Sequence, residues 1–222
     1  MRNGTKKKKP VVVAKPEVAT EPKRRGRPRA YEPDVAIGQA LALFRKGGYA
    51  ATSLDDLSEV TGMNRPSLYG AFGDKRALYI KSYQRYRDDY TVRVIEIFKA
   101  DIDIRERLRR FFDAALDIYT TGDTAPRGCF AVMTVASDAI ADPEIGAMMR
   151  ENFVELDDAF GWCFKTAVAR GELPETIDVP TLSQMASAIL NMLSIRSRAG
   201  VPRAELEAFL QKAVGLLCRS SA

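Results

Sequence analysis

The stretch Thr52–Phe72, TSLDDLSEVTGMNRPSLYGAF, decides the fold. Leu54, Leu57 and Val60 recur at helical spacing, and Thr52 or Ser53 stands where an N-cap belongs, with an acid three residues on. Thr61-Gly62-Met63 interrupts the pattern. Gly62 can enter the left-handed region that a sharp turn needs, without a Cβ penalty. Asn64 suits the cap of a second helix. Pro66 is tolerated in its first turn, where the missing N–H would have had no partner. The reading is two short helices joined by a tight turn. The second presents Asn64, Arg65, Ser67 and Tyr69 outward near its start. Those side chains suit a DNA major groove: Arg reads guanine, Asn reads adenine, and Ser and Tyr reach phosphates. A plain helical hairpin is the alternative that this segment alone leaves open.

The flanks favour the first reading. Val35–Lys46 carries Ile37, Ala40, Leu41 and Phe44 on one face, with Gly47-Gly48 as a stop. Gly73-Asp74-Lys75-Arg76-Ala77-Leu78-Tyr79 opens a further helix. The order of helix, GGYAATS, helix, TGM, NRPSLYGAF and GDKRAL resembles the TetR family of bacterial transcriptional regulators. Phe44, Gly48, Tyr49, Thr52, Gly62, Leu68, Tyr69, Phe72, Lys75 and Leu78 carry the resemblance, which is specific over residues 31–80. It implies an all-α fold of about nine helices. A three-helix head with the helix-turn-helix, residues 31–76, would precede a ligand-binding and dimerisation domain, residues 77–219.

Composition agrees. Ala, Leu, Glu, Arg and Met dominate, and no alternating runs bounded by hairpin turns follow residue 30. Histidine is absent, which removes His-based triads and HExxH metal sites. Cys129, Cys163 and Cys218 lie far apart with no CxxC, as in a reduced cytoplasmic chain without a zinc ribbon. No apolar run is long enough to span a membrane, and no cofactor or metal motif appears. Residues 1–30 hold 11 Lys/Arg against 2 Asp/Glu, whereas residues 31–222 carry a net charge of −4. The basic balance therefore belongs to the arm, which is too polar to build a core. Its Arg25-Gly26-Arg27-Pro28 resembles an AT-hook core, with Arg25 and Arg27 in a narrow A·T minor groove. A basic tail that binds phosphates without preference is the alternative.

Within the head, Arg65 and Ser67 are the expected base readers, and Pro66 can meet a thymine methyl. The resemblance assigns Thr52, Tyr69 and Lys75 to phosphates, and Ser53 and Asn64 complete the expected interface. Leu68 and Phe72 should face the core. In the body, the helices of residues 90–170 are expected to enclose a ligand pocket. Its candidate lining is Phe112, Tyr119, Met133, Phe153 and Trp162, with Thr134, Ser137 and Asn152 as polar anchors. Cys129, at a helix start, reads either as a thiol sensor or as a small buried residue. The last two helices, Thr181–Ala199 and Arg203–Cys218, carry apolar faces too broad for one contact. By resemblance they form a dimer seam, expected at Leu182, Met185, Ile189, Met192, Leu206 and Leu210.

The function expected is a homodimeric repressor that reads a palindromic double-stranded DNA operator and is released by a small molecule. The alternatives are an activator or ligand-independent nucleoid-type DNA binder, and a carboxylate- or cysteine-based enzyme, toward which nothing in the sequence points.

Overall fold

The computed structural model describes Met1, residues 32–120 and residues 128–219. Arg25 and Arg27 lie outside the described residues. Residues 31–222 form one compact unit, and every regular element described in it is helical.

The head begins with α1, Pro33–Ala51, which breaks at Gly48 (φ 81°, ψ 174°). Next come α2, Leu54–Thr61, and α3, Arg65–Phe72. Their ends are fixed by local chemistry. The Asp56 N–H donates to Ser53 Oγ, and the Ser53 N–H donates back to the Asp56 carboxylate, closing a capping box. Gly62 ends α2 at φ 63° and ψ 15°, and its N–H bonds the Glu59 carbonyl. Asn64 Oδ1 then accepts the Ser67 N–H at 2.9 Å to start α3.

A long α4, Lys75–Lys99, runs from the head into the body. The body holds α5, Ile104–Thr120; a π-helical turn, Ala131–Val135; a single turn α6, Ala136–Asp138; and the long α7, Pro143–Ala169. The chain closes with α8, Val179–Arg198, and α9, Arg203–Leu217.

The described residues form two cores. One is built from Leu108, Phe111, Phe112 and Leu116 of α5 against Phe160 and Phe164 of α7, Leu190 and Leu193 of α8, and Leu206 and Leu210 of α9. The other is the core of the head, where Phe44, Leu57, Met63, Leu68 and Phe72 are buried. That core continues into the body. Tyr79, Tyr83 and Tyr86 of α4 close on Phe130 with ring centroids 5.6, 6.3 and 5.9 Å away. Buried aromatic pairs of this kind are geometrically specific as well as apolar, so they fix how α4 sits on the π-helical turn.

Polar contacts add to this junction. The Tyr79 hydroxyl donates to Asp138 at 2.6 Å. Arg76 Nη2 reaches Asp142 at 2.8 Å and Glu144 at 2.7 Å, at the N-terminus of α7. Arg107 of α5, only 3% exposed, turns its guanidinium onto the end of α4. It donates to the carbonyls of Phe98, Ala100 (2.9 Å) and Ile102 (3.0 Å), at and just beyond the end of that helix.

Candidate nucleic-acid interface and interior cavity

The start of α3 is a convex polar surface. Asn64, Arg65, Pro66, Tyr69 and Gly70 are exposed and Ser67 is half-buried, while Leu68 and Phe72 point into the core. This phase follows from Leu68 and Phe72 lying four residues apart and packing under the helix. Arg65 is bound on one side. Its Nε donates to Asp55 Oδ1 at 3.0 Å, and Nη2 lies 2.7 Å from both carboxylate oxygens. Nη1 takes no part in this pair.

Other expected contacts are differently occupied. Thr52 is 3% exposed, and its hydroxyl donates to the Gly48 carbonyl at 2.7 Å. Buried at the break of α1, it seals the end of that helix and has no free hydroxyl to offer a phosphate. This corrects the role expected of it. Ser53 is exposed, with its hydroxyl engaged by Asp56 in the capping box. The Lys75 ammonium sits 4.2 Å from the centroid of the Tyr49 ring.

In the body, α4, α5, α7 and α8 line a partly open cavity of about 240 Å³. Tyr86, Tyr90, Phe98, Tyr119 and Cys129 are among its walls, with Asn152, Glu155, Leu156 and Ala159 from α7. Of the expected lining, Tyr119 and Asn152 are there. The others are placed elsewhere. Phe112 is fully buried in the body core against Phe111 and Phe160. Thr134 is buried facing the break of α1 at Gly48, and Met133 packs beside Gly128. Phe153 is 40% and Trp162 49% exposed. The phase of α7 explains the last two. Asn152, Leu156 and Ala159 face inward, so the neighbouring Phe153 and the far-side Trp162 face out. Trp162 instead covers Phe98 and the Arg107 guanidinium from outside. Ser137 is also exposed.

Cys129 is held by its surroundings. Its N–H donates to Ser194 Oγ at 2.8 Å, and the Tyr86 hydroxyl lies 3.4 Å from its sulfur. The preceding Gly128 has φ 67°, and a Cβ there would stand 2.9 Å from both the Met133 side chain and the Ser194 carbonyl oxygen. Only glycine fits that approach to α8. The same wall reaches the head. Arg45 of α1 donates to the carbonyls of Ile118 (3.2 Å) and Gly128 (3.1 Å), and its guanidinium lies 5.4 Å from the Tyr86 ring centroid.

Comparison with known proteins follows these two parts. Residues 36–81 match the bacterial regulatory proteins of the tetR family, and residues 105–213 match the tetracyclin repressor-like C-terminal domain. The HTH-type transcriptional repressor ComR of Escherichia coli (strain K12) is 31% identical over 190 residues, 85% of this chain and 89% of ComR.

The chain belongs to the TetR family of bacterial regulatory proteins.

It is a DNA-binding transcriptional regulator. Another relative, the HTH-type transcriptional regulator YezE of Bacillus subtilis (strain 168), is 27% identical over 72% of this chain and 82% of its own. Among solved structures, a cysteine mutant of the TetR-family regulator CifR has a TM-score of 0.79 at 26% identity. The match covers 86% of this chain and 98% of CifR, which is complexed there with a 26 bp double-strand operator DNA. No helix among the described residues of this TetR-family protein is long and apolar enough to cross a membrane.

The two closing helices divide their apolar residues between core and surface. Leu206 and Leu210 are 1% and 4% exposed and lie in the body core. They are therefore corrected from seam to core, because α9 turns that edge onto α5. The outer edges carry Met185 (48% exposed) and Ile195 on α8, and Phe209 and Leu216 (59%) on α9. Leu182, Ile189 and Met192 are half-buried between the two sides. Sequence reasoning did not find Asp55, Arg45, Tyr90 or Arg107. Each acts through partners outside its own helix, five or more residues away, and no local spacing signals such a contact.

Proposed function

We propose that this protein is a cytoplasmic homodimeric repressor that binds a palindromic operator and releases it when a small molecule enters the interior cavity. Arg65, Pro66 and Ser67 read bases, while Asn64, Tyr69, Ser53 and Lys75 approach the backbone. Arg25 and Arg27 add contacts from the arm. The exposed apolar edges of α8 and α9, Met185, Phe209 and Leu216 foremost, form the two-fold seam. No catalytic step is assigned to the chain. Similarity to the repressor ComR and to CifR, which is complexed with operator DNA, supports repression and operator binding.

One observation carries the regulatory part. Tyr86 is a wall of the cavity and at the same time a member of the head core, under the guanidinium of Arg45. A ligand pressing on Tyr86 therefore acts on a side chain that also seats α1. If it fits better when the heads are mis-spaced for DNA, it shifts the population away from the operator. The test is a gel shift of the purified full chain on the DNA upstream of its own gene, with a footprint. A short protected palindrome is expected. Diffuse A·T-rich coverage would instead support a nucleoid-type binder.

A further inference from the structure

The Tyr90 hydroxyl is enclosed and has no hydrogen-bond partner among the described residues. Tyr90 is a wall residue of the cavity, and its ring is packed edge-on to Phe111 with centroids 6.0 Å apart. A buried donor left unmet is costly, and such groups mark places where something else is bound. The neighbouring phenols are already used. The Tyr86 hydroxyl is directed at Cys129, and Tyr119 stands beside the same thiol. Burial drives the pKa of Tyr86, Tyr90 and Tyr119 well above the usual phenol value. All three are therefore neutral donors across the physiological range, not anions.

The rest of the wall limits what can enter. Arg87 is the cation at the cavity, and it is ion-paired with Glu155, with Glu151 3.8 Å away. An anionic ligand would have to displace Glu155 from Arg87, and a cationic one would have to displace Arg87 from Glu155. Either exchange trades an existing ion pair for a new one, so a charged ligand gains no net pair there. Val94, Ile95, Phe98, Leu156 and Leu190 supply an apolar surround. The volume of about 240 Å³ has room for a small ring with a short substituent.

We infer that the effector is a small neutral molecule, an aromatic or similarly apolar body bearing one carbonyl-type oxygen that accepts the Tyr90 hydroxyl. A carbonyl brings an acceptor without a donor of its own that would then need a partner. The inference rests on the cavity being the effector site and adds the chemistry of its occupant. Tyr90 is the residue that separates a carbonyl compound from a hydrocarbon of the same shape.

Four molecules of nearly one shape test it: acetophenone, α-methylstyrene, benzoate and 1-phenylethylammonium, each titrated calorimetrically into the full chain. Acetophenone should bind, with α-methylstyrene weaker by about three- to tenfold and both ions weaker by about tenfold or more. Tyr90→Phe keeps the ring and should fold as the parent does, checked by its thermal melt. It should lower acetophenone to the affinity of α-methylstyrene and leave α-methylstyrene unchanged. Three results would each overturn the inference: an ion binding as well as acetophenone, an acetophenone preference that survives in Tyr90→Phe, or no binding by any of the four. A gel shift on the same samples keeps the two readings apart. If the probe ranking holds but saturating acetophenone leaves operator binding intact, the ligand chemistry stands and release by that ligand fails.

Discussion

Asp55 holds Arg65 by one edge of its guanidinium. The carboxylate takes Nε and one side of Nη2, with distances of 2.7–3.0 Å. The opposite edge, Nη1 with the other side of Nη2, stays open at the exposed start of α3. That edge has the spacing to meet O6 and N7 of guanine. An acid so near DNA phosphates opposes binding in general, yet it orients the arginine that discriminates.

The pair therefore yields a prediction with two signs. Arg65→Ala should lose about 1–3 kcal/mol of specific binding with the fold intact. Asp55→Ala should tighten binding to unrelated DNA while reducing the preference for guanine at the contacted position. Fluorescence anisotropy on the operator and its single-base variants measures both. Unchanged discrimination in Asp55→Ala would show that Arg65 needs no such support.

Arg107 closes the end of α4 from within the body. Replacing it by Leu takes the donor from the part-buried carbonyls of Phe98 and Ile102 and should destabilise the protein by about 2–4 kcal/mol. Lys should restore only part of this, since a point ammonium cannot span the carbonyls that the planar fork reaches. Urea midpoints compare the three proteins. A parent-like midpoint for Arg107→Leu would mean that water satisfies those carbonyls.

Adjacent residues on α9 should behave oppositely. Phe209→Asp places a charge on the exposed edge, and the expected product is a folded monomer that no longer shifts operator DNA. Leu210→Asp buries an unpaired charge in the core and should unfold the chain. Light scattering with circular dichroism separates the two. A dimeric Phe209→Asp that binds DNA would place the seam elsewhere.

Acid should loosen the tie between α4 and α7. The hydrogen bonds from Arg76 hold the Asp142 carboxyl down to about 2, below its ordinary 3.8. A depressed carboxyl stabilises the fold fully above its unfolded pKa, and that contribution fades as pH falls from about 4 through about 2. Arg76→Gln should flatten the pH dependence of the melting temperature in that window. An identical profile in the variant would exclude Asp142 as a contributor.

Deleting residues 1–29 should leave residues 31–222 folded and dimeric, with a shallower salt dependence of DNA binding. Up to 11 cationic side chains would no longer displace counterions. Affinity measured across a salt series checks this, and an unaltered slope would show that the arm does not touch DNA.

The head was readable because its punctuation is local. Ser53 with Asp56, Gly62, and Asn64 with Ser67 each act within three or four residues, so the chain itself spells where α2 and α3 begin and end. The interior cavity was read less well. Met133, Phe153 and Trp162 were reasonable apolar candidates, but α7 carries apolar residues around much of its circumference. A rotation by one residue, about 100°, exchanges Phe153 for Asn152 at the wall, and periodicity on so broad an apolar face does not resolve it.

The sequence by itself determined an all-helical chain, its helix-turn-helix, the outward residues at the start of α3 and the basic arm. These rest on caps, turns and spacing that operate within one or two helical turns. Tertiary structure alone decided which faces are inside. It sends Leu210 to the core and leaves Phe209 at the surface, buries Thr52 against Gly48, sets Asp55 on Arg65 and encloses the Tyr90 hydroxyl. Each outcome depends on a partner distant in sequence, and the close packing of whole helices selects one rotation from several that the pattern allows.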